Sequence, residues 1–111
     1  MKPDKIIIHH ESSSLGFDAI NEYHRQKWNF KSSLGYFIGY TYYISKDGGL
    51  RQGRADDEEG AHTKGMNQGS IGICLQGNFD MEQPTEAQMI TLRNIINQKM
   101  SQYAISPNNI A

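Results

Sequence analysis

Three consecutive isoleucines followed by two histidines, Ile6 to His10, constrain the fold more than any other stretch of the chain. A run of β-branched residues is typical of a strand that is buried on both faces. Because side chains alternate along a strand, His9 shares a face with Ile7, whereas His10 points to the opposite face. At most one of the two histidines can therefore take part in a given site. Ligands in sheets of this kind tend to bind beyond the strand ends.

Composition excludes several classes of function. The chain has 111 residues, the length of one domain, and its 11 basic and 12 acidic residues give a formal net charge of −1. That balance gives no electrostatic reason to expect a nucleic-acid polymer or an acidic membrane as partner. No apolar stretch has the length of a membrane span, and the first strand begins too early for a signal peptide, so we expect no membrane insertion and a cytoplasmic location at synthesis. The single cysteine excludes an internal disulfide, and the oligomeric state is left open.

Five further segments carry recognisable patterns of secondary structure. They are a helix over 17–28, a tyrosine-rich strand over 35–44, a short strand over 50–54 behind a glycine turn, a buried strand over 70–76 and a helix over 85–104. The order strand, helix, hairpin, loop, strand, helix predicts an α/β domain with a mixed central sheet flanked by helices. We expect the first strand and the 70–76 strand to be central.

Helical spacing predicts the buried faces of the two helices. In the first helix the face comprises Phe17, Ile20, His24 and Trp28. In the second helix the apolar stripe comprises Met89, Leu92, Ile96, Met100 and Tyr103. Thr85 and Gln88 have the spacing of a capping box at the start of the second helix. Pro107 prevents the helix from continuing, and residues 108–111 are predicted to be extended.

The long polar segment 55–69 is a candidate functional loop, because long irregular loops in compact domains often carry function. His62 lies in it between glycines, which favours a site residue. The acidic run 56–59 is interpreted as a solvated loop, since it lacks the spacing of a calcium loop.

Other candidates have plain structural interpretations. His24 is interpreted as a core residue and Cys74 as a buried, inert thiol. Gly72 indicates close approach by another backbone or a helix. Alternation along the tyrosine-rich strand places Tyr36, Tyr40 and Tyr42 on one face, with Tyr43 opposite. From the residues alone, His9 is either a metal ligand or acid/base group, or a hydrogen-bonded structural residue.

Three segments carry a resemblance to a known family: Ile6 to His10, residues 39–48 (GYTYYISKDG), and residues 60–73 (GAHTKGMNQGSIGI). The chain resembles the zinc-dependent N-acetylmuramoyl-L-alanine amidases, which include phage amidase lysozymes and peptidoglycan recognition proteins. Residues 84–88 (PTEAQ) resemble the start of the family's long helix. The resemblance runs nearly end to end and implies the same fold for a single domain over 1–111.

The resemblance also implies site residues. His9 corresponds to a zinc ligand, and Tyr40 to a catalytic tyrosine beside the zinc-bound water. His62, Thr63 and Asn67 fall in the loop that lines the groove for the peptide stem. Lys64 is expected to bind substrate beside them. The family hydrolyses the amide between the lactyl group of N-acetylmuramic acid and L-alanine, with zinc activating water and hydroxyl donors stabilising the oxyanion.

In the family, the second zinc histidine and a cysteine or aspartate ligand follow the long helix, as does a lysine or threonine that helps catalysis. This chain ends at Ala111, so the resemblance leaves His9 as one aligned ligand. We therefore expect a peptidoglycan-binding cleft without stable zinc and without hydrolysis by this chain alone. The alternative is a repurposed cleft that sequesters another small ligand, such as a nucleotide-like molecule, or that inhibits a protein partner. By resemblance to phage amidases, its setting is a phage-infected bacterial cell.

Overall fold

A mixed four-stranded sheet forms the centre of the computed structural model, which describes residues 2–111. The elements, in chain order, are β1 (Lys5–His10), α1 (Phe17–Lys27), β2 (Tyr42–Ile44), β3 (Leu50–Gln52), β4 (Ser70–Leu75), α2 (Glu86–Tyr103) and a short 3-10 turn (Pro107–Asn109). The predicted α/β class, with helices packed on a mixed sheet, is confirmed.

The strands lie in the order β1, β4, β2, β3. β4 pairs in parallel with both β1 and β2, while β2 and β3 form an antiparallel hairpin. β4 is therefore central, as predicted. The expectation that β1 is also central is wrong: on its other side Ile6 makes only an isolated parallel bridge to Ile110. Ile110, which makes that bridge, is extended, as predicted for the segment 108–111. Asn108 and Asn109 lie instead in the 3-10 turn.

Alternation along the parallel strands separates two environments. Ile8 is opposite Ile73, and the next residues in register are His9 and Cys74. Ile73 is fully buried in the apolar cluster that includes Leu92 and other residues of α2. One face of the sheet thus packs on α2, and the other carries the end of β1 with His9.

The predicted strand over 35–44 is wrong over most of its length, because only Tyr42–Ile44 joins the sheet. The backbone N–H groups of Phe37 and Ile38 donate instead to the side-chain oxygen of Asn21 on α1, at 2.6 and 2.9 Å. Side-chain acceptors thus replace a neighbouring strand, which satisfies the backbone without a ladder.

The predicted tyrosine faces change for the same reason. Tyr42 packs in the apolar cluster beneath α2. Tyr36 and Tyr40 pack on the opposite side with Tyr43 and Cys74. Placing Tyr40 and Tyr42 on one face was wrong, because strand alternation does not apply before Tyr42.

Both ends of α2 follow the sequence closely, and Leu92, Ile96, Met100 and Tyr103 of its predicted apolar stripe pack in or against the core, as predicted. The capping box is confirmed: the Thr85 hydroxyl accepts from the Gln88 N–H at 3.0 Å, and the Gln88 side chain accepts from the Thr85 N–H. Met89, predicted to be buried, is exposed, and Ile95 lies in the core instead. Gln88, the residue before Met89, is fully buried, and its side-chain amide donates to the backbone carbonyls of Ile44 and Gln76.

The first helix ends one residue before Trp28, which is 42% exposed, so the prediction that Trp28 belongs to a buried face is wrong. Phe17 and His24 on the same helix are buried as predicted. Among residues 2–111, neither helix combines the length and the hydrophobicity needed to cross a membrane.

The acidic run in the 55–69 loop is not simply solvated. Asp56 accepts from the Lys99 ammonium at 2.7 Å, and the side chains of the two residues are only 11% and 7% exposed. The hydroxyls of Tyr42 and Tyr103 donate to the same carboxylate at 2.5 and 2.7 Å. Burial alone would raise the pKa of Asp56, but these donors and the ammonium outweigh it and hold the pKa below its usual value. The interpretation of Asp56 as a loop charge was wrong, because α2 and β2 converge on it.

Candidate functional site

The end of β1 and the 55–69 loop meet on the sheet face opposite α2. There the Nε2 atom of His9 lies 3.0 Å from the Nδ1 atom of His62. The His10 ring instead stacks on Phe79 at 5.6 Å, and its Nδ1 atom accepts from the Phe79 N–H. The prediction that His9 and His10 point to opposite faces is therefore confirmed.

Thr63 completes a three-residue cluster with the two imidazoles. Its hydroxyl oxygen lies 3.1 Å from both His9 Nε2 and His62 Nδ1. The side-chain oxygen of Asn67 accepts from the backbone N–H groups of His62 and Thr63, at 2.8 and 2.7 Å. Asn67 thus shapes the loop that presents the other two residues, which is a form of side-chain to backbone bonding that fixes turns.

Gly72 gives the His62 ring the room that it occupies. A Cβ atom built on Gly72 would lie 2.6 Å from the imidazole Cδ2 atom, and one on Gly60 would lie 2.7 Å from the same atom. Close approach at Gly72 is confirmed, but the prediction of a backbone or a helix there was wrong. The neighbour is the candidate site histidine, and it enters from the loop.

Ser70 fixes the tautomer of His62. The Ser70 hydroxyl donates to the Met66 carbonyl at 2.6 Å, so its oxygen must accept from His62 Nε2–H, 3.1 Å away. The Nδ1 atom of a neutral His62 is then an acceptor, directed at His9 and Thr63. Ser70 was missed in the sequence, where its place at the start of a buried strand was the one available signal.

Both imidazoles of the cluster favour the neutral form. Burial, then the nearby His9 and the charge of Arg54, lowers the pKa of His62 to about 4. Burial, then His10, also holds the pKa of His9 below its usual value. At neutral pH the cluster is therefore an uncharged set of hydrogen-bonding groups.

Tyr40 borders this cluster from the segment before β2. Its ring centroid lies 5.3 Å from that of His9 and 6.4 Å from that of His62. Burial raises the pKa of Tyr40 well above its ordinary value, and the nearby Cys74 adds to the shift. Burial also raises the pKa of Cys74 to about 12, so both groups keep their protons. Cys74 is fully buried, as predicted.

His24 on α1 packs against the segment that carries Tyr40. It is buried as predicted, but its Nδ1 atom also accepts from the Gly39 N–H at 2.8 Å. Its ring lies 5.8 Å from that of Tyr40 and 4.5 Å from that of Trp28. Burial, then Lys27 and Arg54, lowers the pKa of His24 to about 4, which keeps Nδ1 free to accept.

A cavity of about 370 Å³ opens beside the cluster. Its lining comprises Lys27, Trp28, Ala61, His62, Thr63, Lys64 and Asn67. All four predicted substrate-binding residues border it, whereas His9 and Tyr40 do not. Lys27 and Trp28 were missed, because the helical pattern assigned Trp28 to the core and gave no reason to bring α1 to this loop.

The residues in this region do not fit a catalytic zinc ion. Such a site takes three protein ligands, and the cluster offers the imidazoles of His9 and His62. Within residues 2–111, no three histidine, cysteine or acidic side chains come together in a way that could hold a metal ion. Cys74 adds no ligand, because its thiol is buried, keeps its proton and is directed at the Leu75 carbonyl.

Comparison with known proteins gives a consistent result. The family model described as N-acetylmuramoyl-L-alanine amidase matches residues 1–111. The endolysin of Escherichia phage T7 is 31% identical over 110 residues, which cover 90% of this chain and 68% of the endolysin. The chain spans 58–60% of the length of the endolysins from Klebsiella phage KP32 and Enterobacteria phages T3 and K11.

Solved structures agree in fold. The N-acetylmuramoyl-L-alanine amidase LysC from Clostridium intestinale has a TM-score of 0.86 and 32% identity, over 99% of this chain and 69% of that protein. A complex of the peptidoglycan recognition proteins LCa and LCx with bound tracheal cytotoxin has a TM-score of 0.82 and 26% identity, over 99% and 69%.

Proposed function

Because the chain belongs to the N-acetylmuramoyl-L-alanine amidase family, we propose that its cleft recognises the muramyl-peptide unit of peptidoglycan. The observation that carries this proposal is the hydrogen-bonded cluster of His9, His62 and Thr63 beside Tyr40, which adjoins a cavity of about 370 Å³. Pockets of this size, with a few converging polar groups, are typical of small-ligand sites. Tracheal cytotoxin bound to the related recognition proteins supports the same class of ligand.

The cluster suits a ligand rich in amides and hydroxyls. His62 and Thr63 border the cavity with an uncharged imidazole and a hydroxyl, so a peptide unit can lie against them without the cost of desolvating a charge. Asn67 contributes by holding the backbone of this loop, and Lys64 stands at its exposed rim. The Tyr40 ring packs on His9, with the two ring centroids 5.3 Å apart.

We also propose that this chain does not hydrolyse the muramyl-peptide bond with its own residues alone. In the family, zinc supplies an activated water and polarises the scissile carbonyl. His9 is the residue that the family resemblance assigns to zinc, but its Nε2 atom is engaged with His62 and Thr63. Two imidazoles fall short of the three protein ligands of a catalytic zinc site.

Calorimetric titration of the purified chain with N-acetylmuramyl-L-alanyl-D-isoglutamine and longer stem peptides tests the binding proposal. We expect saturable binding that weakens about tenfold or more in His62→Ala, because the cluster loses its central hydrogen-bonding group. Tyr40→Phe should weaken it less, since the ring that packs on His9 remains. His10→Ala is the matched control, because that ring lies on the opposite face and should leave affinity unchanged.

A panel of nucleotides in the same experiment tests the alternative, which the lysines in the cavity lining favour through their attraction to phosphate. Nucleotide binding without muropeptide binding would replace the proposal by a sequestering role. Incubation with purified peptidoglycan tests the second part: chelator-sensitive release of L-alanine-linked peptide by this chain would contradict it.

A further inference from the structure

The segment 37–39 joins no strand of the sheet, and side chains of other segments bind its backbone instead. Asn21 on α1 accepts from its first two N–H groups, and His24, three residues later, accepts from the third at 2.8 Å. The fully buried guanidinium of Arg54 donates to the middle carbonyl of the segment at 2.9 Å. These side chains set the position of the segment, and His24 holds its last residue, Gly39.

Gly39 connects this segment to the loop that carries His62. Its carbonyl oxygen accepts from the backbone N–H of Ala61 at 3.0 Å. The two backbones lie very close, because a Cβ atom on Gly39 would be 2.3 Å from the Ala61 carbonyl oxygen. A Cβ atom on Gly60 would be 2.5 Å from the Gly39 carbonyl oxygen. Glycine at both positions thus permits a direct backbone contact that any side chain would force apart.

The residues that follow this contact on each segment both belong to the candidate site. Tyr40 follows Gly39, and its ring centroid lies 5.3 Å from that of His9. His62 follows Ala61, and its Nδ1 atom lies 3.0 Å from the Nε2 atom of His9. A displacement of Gly39 therefore moves Tyr40 and His62 relative to one another.

His24 acts on this contact from beneath the cleft. Its side chain is buried and does not line the cavity beside His62, so it is out of reach of a ligand there. Burial lowers the pKa of His24 to about 4, so at neutral pH its Nδ1 atom carries no proton and can accept from Gly39.

Resting on the muropeptide recognition proposed above, we propose that His24 is a positioning residue for the cleft. Its hydrogen bond to Gly39 holds the segment of Tyr40 and the loop of His62 at the spacing that the ligand requires. The first helix thereby preorganises groups at the ligand site, which lowers the cost of ordering them when the ligand binds.

Two substitutions separate the acceptor of His24 from its ring. His24→Leu removes the acceptor but fills much of the space, whereas His24→Asn loses the ring and places an oxygen near the position of Nδ1. In titration calorimetry with an N-acetylmuramyl tripeptide, we expect about three- to tenfold weaker binding for the leucine variant, the effect of one hydrogen bond. The asparagine variant should recover most of the affinity. Equal weakening in both variants, or weaker binding by asparagine than by leucine, would assign the effect to ring packing on Trp28 and overturn the inference.

Hydrogen exchange of the Ala61 amide tests the link without any ligand. In His24→Leu this amide should exchange about threefold or more faster, measured relative to the Ile73 amide of the central strand, because its acceptor on Gly39 is no longer held. Gly39→Ala should give the same exchange result and the same weakened binding with His24 intact, since the added methyl group displaces the Ala61 carbonyl. That variant decides the question if His24→Leu does not fold.

Ile73→Ala is the matched control for lost stability, because its side chain lies beneath α2 and should leave affinity within about twofold. Tripeptide binding that His24→Leu leaves unaltered overturns this inference alone, as does an unchanged exchange rate of the Ala61 amide. Absence of tripeptide binding by the unsubstituted chain overturns the proposed function and, with it, the effect of His24 on affinity.

Discussion

The two faces of the central sheet are built from the same strands but differ in their surroundings. Beneath α2, Ile73 and its neighbours form a fully buried apolar cluster. His9 and Cys74, the next residues along β1 and β4, lie on the other face. There the His9 ring contacts the rings of Tyr40 and His62. Because alternation assigns neighbouring residues to different faces, one face can pack on α2 while the other carries the residues of the candidate site beside a second, smaller core cluster.

This difference predicts where substitutions act. Changes beneath α2 should cost stability and leave ligand affinity unaltered in the folded fraction. Changes in the cleft should alter affinity, with smaller effects on unfolding, because the cleft groups are partly exposed and are supported by loop hydrogen bonds.

The largest expected effect lies at the buried ion pair between Asp56 and Lys99 on the α2 side. Lys99→Met leaves the Asp56 carboxylate buried without its ammonium partner, so we expect a loss of about 3–5 kcal/mol in the free energy of unfolding. The double variant Asp56→Asn with Lys99→Met should recover part of this loss, because no unpaired charge remains and the two tyrosines can still donate. Urea denaturation measures both; a loss under about 1 kcal/mol for the single variant would show that Asp56 is solvated after all.

A comparable loss is expected in the apolar cluster. Ile73→Ala should cost roughly 2–5 kcal/mol by leaving a cavity, and Ile73→Val, as a graded control, about 0.5–1.5 kcal/mol. Muropeptide affinity of the folded variants should stay within about twofold of the unsubstituted chain. Loss of affinity at unchanged stability would mean that the two faces are not separable in this way.

Strands that have a strong sequence pattern were predicted correctly. The prediction failed where side chains, not a neighbouring strand, accept the backbone hydrogen bonds. Lys5–His10 and Ser70–Leu75 were found because β-branched runs and alternation are local signals. Residues 35–41 were assigned to a strand on aromatic content, but Asn21 and His24 accept hydrogen bonds from the backbone N–H groups of residues 37–39. Such acceptors lie on another element, so no local pattern reveals them.

The candidate site was predictable to a similar degree. His9 and the loop residue His62 could be singled out by a strand end and a glycine-flanked loop, and family resemblance added Thr63. Their meeting at 3.0 Å, and the role of Ser70 in orienting His62, depend on how the loop folds back over Gly72. The position of Lys27 in the cavity lining could not be predicted, because it depends on where α1 ends relative to the loop.

A smaller effect concerns pH and tests the neutral character of the cleft wall. Because burial lowers the pKa of His24 to about 4, the unfolded chain binds more protons than the folded one between about pH 6.5 and pH 4. Stability should therefore be complete above pH 6.5 and fall on acidification towards pH 4. His24→Gln, which keeps an acceptor for the Gly39 N–H, should reduce the slope by up to about 1.4 kcal/mol per pH unit. Urea titrations between pH 6.5 and 5 measure this, and identical slopes would contradict a neutral, buried His24.

The central claim is that the cleft recognises a muropeptide through its own hydrogen-bonding residues, without a metal ion held by this chain. Titration calorimetry of the purified chain with an N-acetylmuramyl tripeptide, before and after dialysis against a chelator, tests it most directly. We predict the same dissociation constant, within about twofold, in both conditions, because His9 is satisfied by His62 and Thr63. Binding that is lost with the chelator and restored by one equivalent of zinc would contradict the claim, as would the absence of binding in both conditions.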